Sequence, residues 1–212
     1  MNKKILLMAS ATLLGWSLSN ASVTDVTWNS YSGGIICYSP VWDSTGNIGI
    51  DGYQTGAGQM GGTITTSDAL DPILTLANTI DNDSSFAWTE YKVSVSMNNS
   101  FSILSAAATA PPGWTANITQ PGAPVSGVYT GIIDYLGGVP VAIVTDPNNP
   151  PPNSELDFSY KVQFSGSTSY SLTESVTPVP EPGVFSLLMS GGLLLGGWMI
   201  AKRRQAKLCV RA

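Results

Sequence analysis

The chain has 212 residues, a net charge of −5 and a pI near 4.4, with 43% hydrophobic residues and only 11% charged ones. It has no histidine and only two cysteines, which excludes a Ser-His-Asp triad, a Cys-His pair and most catalytic zinc sites. Between Ser22 and Pro180 just two cations, Lys92 and Lys161, face thirteen carboxylates (all fourteen acids but Glu181), a net of −11. A surface of that sign repels phosphate backbones, so nucleic acid is excluded as a partner.

The chain opens on an export signal, residues 1–21. Lys3 and Lys4 form a basic start, Ile5 to Trp16 an apolar core, and Ser19-Asn20-Ala21 a small-x-small cleavage site. No cysteine follows Ala21, so the lipoprotein route is not expected. Residues 22–177 then make one domain of ordinary size, able to build a core without disulfides or metals. Its single cysteine, Cys37, sits among Ile35, Ile36 and Tyr38 and reads as a buried apolar residue.

Within that domain the pattern is all-β. Early strand candidates are Val23–Trp28, Gly34–Tyr38, Ile48–Tyr53 and Gly62–Thr66. Ile73 to Ile80 follows, ended by Asp81-Asn82-Asp83-Ser84-Ser85, a turn of residues that bond their own backbone. From Phe86 to Met97 the alternation slips phase: Phe86 and Trp88 are even, whereas Tyr91, Val93, Val95 and Met97 are odd. One extra residue at Thr89 or Glu90 keeps both halves facing the core, which predicts a β-bulge. Phe101–Ala106, Trp114–Thr119, Val128–Tyr135 and Val139–Val144 continue the series, separated by Pro and Gly.

The clearest strand is Leu156 to Phe164, with Leu156, Phe158, Tyr160, Val162 and Phe164 alternating against Asp157, Ser159, Lys161 and Gln163. Tyr170 and Leu172 resume that alternation, so Ser165-Gly166-Ser167 is expected to be a hairpin loop. Many short strands between such turns predict a single antiparallel β-sandwich rather than a parallel sheet.

Three chemistries can be weighed against plainer roles. Asp81 and Asp83 are the best cation candidates, but the EF-type loop they would open lacks its glycine and terminal glutamate, so a strand-ending turn explains them better. Glycoside hydrolysis needs two opposed carboxylates; Glu90, Asp134, Glu155, Asp157 and Glu174 are available, and sequence places no two of them together. Trp28, Tyr31, Tyr38, Trp42, Tyr53, Trp88 and Trp114 could supply a sugar-stacking surface, yet most read as core, with Trp42 and Tyr53 the ones expected outside. No catalytic residue, cofactor or metal is expected.

The chain closes on three segments in fixed order. Pro178 to Gly183 (linker 178–183) carries prolines that fix φ and remove donors, so it is expected to be a stiff spacer that cannot join a sheet. The 18 residues from Val184 to Ala201 carry no charge and suffice to cross a bilayer as a helix (184–201). Lys202, Arg203 and Arg204 begin a basic tail (202–212) that holds this end in the cytoplasm. Val179-Pro180-Glu181-Pro182-Gly183, the apolar span and the basic cluster together resemble the PEP-CTERM sorting signal of exopolysaccharide-producing Gram-negative bacteria.

The resemblance implies that a membrane-embedded protease, an exosortase, recognises Pro180, Glu181 and Pro182 and removes the helix and tail. It implies a partner set of exosortase, membrane and exopolysaccharide. The protein would pass the inner membrane, be anchored transiently, and end at the cell surface or outside. The same signature is also catalogued as an ice-binding-protein C-terminal domain, although a regular ice-binding solenoid needs an internal repeat that this chain lacks. The run Asp71-Pro72-Ile73-Leu74-Thr75-Leu76, Thr79 to Asp83, Phe86 to Thr89 and Phe158 to Gly166 looks like a recurring exported-domain type of that family with no assigned chemistry.

Overall fold

The computed structural model describes residues 21–180, save residue 165. Ten strands account for most of them, and no helix occurs among the described residues. The strand on which the others depend is β3 (Asn47–Thr66), twenty residues long. Along one flank it pairs antiparallel with β1 (Val23–Cys37), from Val23 opposite Thr66 to Cys37 opposite Gly52. Its other flank is divided. Asn47–Gln54 pairs in parallel with β4 (Ile73–Asn82), and Gly58–Thr65 pairs antiparallel with β10 (Ser169–Pro180).

From that fork the sheet runs two ways. β4 leads to β9 (Glu155–Phe164) and β6 (Phe101–Ala110); β10 leads to β5 (Trp88–Met97), β8 (Tyr129–Val141) and β7 (Thr115–Thr119). A short β2 (Val41–Trp42) adds to β3 opposite Gly49 and Ile48. The result is one sheet folded at β3 into two leaves and nearly closed. It replaces the separate antiparallel sheets expected from sequence, and it contains one parallel pair, β3–β4.

Chain geometry explains the fold in β3. A straight β3 would be roughly 60 Å long at about 3.3 Å per residue. Yet β4 begins beside the start of β3, with Thr75 opposite Asn47, only seven residues after β3 ends at Thr66. Seven residues span at most about 25 Å, so β3 must bend back on itself. Its glycines permit this: a Cβ at Gly62 would overlap the Thr27 carbonyl oxygen, and one at Gly52 the Ile36 carbonyl oxygen. Sequence reading ended one strand at Tyr53 and began the next at Gly62, leaving Gly56, Gly58 and Gly61 between them.

At the far edges, β6 and β7 do not pair. Gln120, just past β7, bridges them instead: its Nε2 donates to Ile103 O at 2.7 Å, and Ile103 N donates to its Oε1 at 2.9 Å. One side-chain amide thus does there what a strand neighbour does elsewhere.

The expected bulge is present. Pro180 and Val179 of β10 lie opposite Trp88 and Glu90 of β5, so Thr89 is the extra residue, and Trp88 and Tyr91 are both buried. On the other flank β8 makes a wider excursion at Gly137 and Gly138, wrapped around Trp114, whose Nε1 donates to Val139 O at 2.7 Å. These two glycines therefore lie within β8 instead of between two strands.

Two other expectations are corrected. β9 and β10 are not the two arms of a hairpin, because they lie in different leaves and share no pairing. Alternation identifies strands but not their partners. Nor are the prolines excluded from the sheet: Pro178, Val179 and Pro180 pair with Tyr91, Glu90 and Trp88. β10 loses its β3 neighbour after Val176, and the open flank accommodates residues with no N–H to donate.

Gly62→Ala should lower unfolding free energy by about 2–3 kcal/mol in urea titration, because the strand it abuts is backbone and cannot yield. Gly56→Ala, in the same strand with nothing within 4 Å of its Cβ position, should cost far less.

Candidate functional site

The even residues of β3, β4, β9 and β10 point inward, and Gln54, Asn78 and Glu174 are polar residues in those inward rows. Asn78 continues Leu74 and Leu76, Glu174 continues Tyr170 and Leu172, and Gln54 continues Ile48 and Ile50; all three are buried. Tyr160 Oη donates to Glu174 Oε1 at 2.6 Å, and Tyr91 Oη donates to Gln54 Oε1 at 2.6 Å. Gln54 Nε2 donates to Gly56 O at 2.6 Å, at the bend of β3. Tyr135 Oη donates to Ser159 O at 3.0 Å, tying β8 to β9 across the core.

Among the described residues no cation lies beside Glu174. Lys92 faces outward and pairs with Asp134 at 3.4 Å, and Lys161 is exposed on β9. Burial pushes the Glu174 carboxyl up to about 7, although Tyr160 and the adjacent Asn78 amide pull the other way. Neither amide atom of Asn78 closes a hydrogen bond of normal geometry, and Glu174 Oε2 is also without a partner. Burial and the Glu174 charge also push the phenols of Tyr91, Tyr160 and Tyr135 up.

The outer face carries the other acids. Asp81 lies opposite Glu155, and Thr79 opposite Asp157, with Thr79 Oγ1 donating to Asp157 Oδ1 at 2.8 Å. Partial burial, then Asp83 and Asp51, push Asp81 up; partial burial, then Asp157, Asp81 and Asp51, push Glu155 up. This is a ladder of like charges across β3, β4 and β9. Among the described residues no three acids, cysteines or histidines are placed to hold a metal. Asn82, between Asp81 and Asp83, instead turns inward: its Oδ1 accepts from Ser84 N at 3.0 Å and Ser84 Oγ at 2.6 Å, and its Nδ2 donates to Phe86 O and Val141 O. That is the strand-ending turn read from sequence.

Of the carboxylates considered for hydrolysis, Glu155 and Asp157 stand together on the outer face, Glu90 lies at the β5 bulge, Asp134 is paired with Lys92, and Glu174 is inside. No two of these oppose each other across a cleft. Among the aromatics, Trp28, Trp88 and Trp114 are core, as expected. Trp42 is 36% exposed, as expected, but Tyr38 and Tyr31 are more open than Tyr53.

Beside Trp42 is a groove of about 330 Å³ lined by Val41, Asp43, Asn47, Thr75 and Ala77. Its rim is set by Asp43, whose carboxylate accepts from Thr45 N, Thr45 Oγ1, Asn47 N and Asn47 Nδ2; Asn47 first and Thr45 next hold it well below the usual carboxylate range.

Of the sorting residues, Val179 and Pro180 end β10. Ala21, at the expected signal cleavage, is the first described residue, and Ser22 N donates to Ser67 Oγ at 3.1 Å. Ser19, Glu181, Pro182, Gly183, the span Val184–Ala201 and Lys202–Arg204 lie outside the described residues. Among the described residues no helix is long and apolar enough to cross a membrane. No family model matches the chain, and neither does any curated protein or solved structure.

Because the outer carboxylates act as a diffuse field rather than a chelate, Ca²⁺ and Mg²⁺ at equal ionic strength should raise the thermal midpoint equally. A calcium-specific rise that Asp81→Asn abolishes would show a coordinated ion instead.

Proposed function

We propose that the protein is an exported cell-surface or extracellular-matrix component, anchored for a time by Val184–Ala201 and processed by an exosortase at Pro180-Glu181-Pro182, with no catalysis of its own. The observation that carries this reading is the order of three signals at one end: a Pro-Glu-Pro motif, 18 uncharged residues and a basic cluster. The export signal at residues 1–21 supports it.

The end of β10 adds a constraint. With Pro180 held in the sheet, only Glu181, Pro182 and Gly183 separate the last strand residue from Val184. Fully extended, the four steps from Pro180 to Val184 reach about 14 Å. The folded domain would therefore ride close against the membrane until it is released. On this reading Glu181 is the one charged group in the recognised motif, and Lys202, Arg203 and Arg204 fix the depth of the anchor.

Glu181→Ala combined with removal of Lys202–Arg204 should leave unprocessed protein in the membrane fraction, read by the mass of the C-terminal peptide from cells. Normal processing of that variant would rule out recognition through these residues. A second reading, a carbohydrate-binding surface, is favoured by the groove beside Trp42. Glycan-array binding lost in Trp42→Ala would support it.

A further inference from the structure

We propose that Glu174 and Asn78 form a proton-operated latch between the two leaves: Glu174 held as a neutral acid donates its Oε2 proton to Asn78 Oδ1, and loss of that proton loosens the sandwich. The geometry assigns it. Glu174 belongs to β10, in one leaf, while Asn78 (β4) and Tyr160 (β9) belong to the other. Tyr160 already satisfies Oε1, and the three polar atoms without partners here are Glu174 Oε2, Asn78 Oδ1 and Asn78 Nδ2. A proton on Oε2 resolves the first two in one bond. Without it, only Nδ2 of the same amide is left to donate to Oε2, and a full charge remains in the core.

The polar groups around Glu174 are Asn78 on β4, Tyr91 on β5, Tyr135 on β8 and Tyr160 on β9, while its neighbours along the sheet are the apolar Met60 of β3 and Val95 of β5. None of these is a cation. The direction follows from the carboxyl being raised in the folded state, from 4.5 to about 7. Stability is complete below about pH 4.5, where folded and unfolded chains are both protonated. It falls as pH rises through about 7, and it stays reduced above that.

The test is the thermal midpoint of the intact protein from about pH 5 to about pH 9, with the infrared carbonyl band of a buried carboxylic acid followed in parallel. Asp81→Asn/Glu155→Gln serves as background, because those outer acids also titrate high. In that background the midpoint should fall by roughly 5 °C or more across the range, and the acid band should vanish over the same interval. Adding Glu174→Gln should flatten the curve, remove the band and leave the midpoint higher at alkaline pH. A Gln variant that tracks its background, or a background with no acid band at about pH 5, overturns the proposal. If Glu174→Gln does not fold, the infrared titration of the background alone decides.

Discussion

The bend in β3 is the constraint from which the architecture follows. β3 pairs with β1 from Gly52 to Thr66 and gives its other flank to two different partners, with β4 starting only seven residues after β3 ends. β4 nonetheless runs parallel to β3, an arrangement usually made with a helical crossover. Here the short connection works only because β3 doubles back. Every later strand then joins one of the two branches, and Gln120 closes the space left between their far edges.

The same fork accounts for the polar interior. Where β4 and β10 part, β3 has no neighbour on that flank from Thr55 to Ala57, and its backbone needs other partners. Gln54 supplies one, donating to Gly56 O while accepting from Tyr91, and Asp83 N donates to Gln54 O at 3.0 Å. Tyrosines suit this region because each buries a large ring and still reaches a polar partner with its hydroxyl. Tyr91, Tyr135 and Phe158 stack at 5.0–5.2 Å between ring centres. Glu174 lies in this group with no counter-ion among the described residues, so its charge, rather than its size, is the expensive property.

Period-two alternation made the strands legible, including the slip at Thr89, because side-chain direction is a local property. Pairing was not legible. The glycines of β3 and β8 read as breaks because sequence cannot distinguish a glycine that ends a strand from one that lets another backbone approach. The prolines of β10 read as excluded because the rule against them holds for strands flanked on both sides, and β10 is open beyond Val176. The interior acid was within reach: extending Tyr170 and Leu172 by one step lands on Glu174, and extending Leu74 and Leu76 lands on Asn78. What no pattern could give was that these two meet.

Under the proposed sorting role, β10 serves both the core and the handover to the membrane. Its first half is held between β3 and β5 and carries Glu174; its last four residues are held by β5 alone and lead into the Pro-Glu-Pro motif. A protease that binds extended backbone would compete with β5 for Pro178 to Pro180, and those prolines reduce what β5 can hold. The weakest part of the strand is therefore the part nearest the motif, while the paired half behind it limits fraying to a few residues. On that proposed role, a domain that carries −11 and is tethered within about 14 Å of lipid would also be repelled by any anionic surface. That repulsion would favour departure once the anchor is cut, so the acidic composition and the short tether act in the same direction.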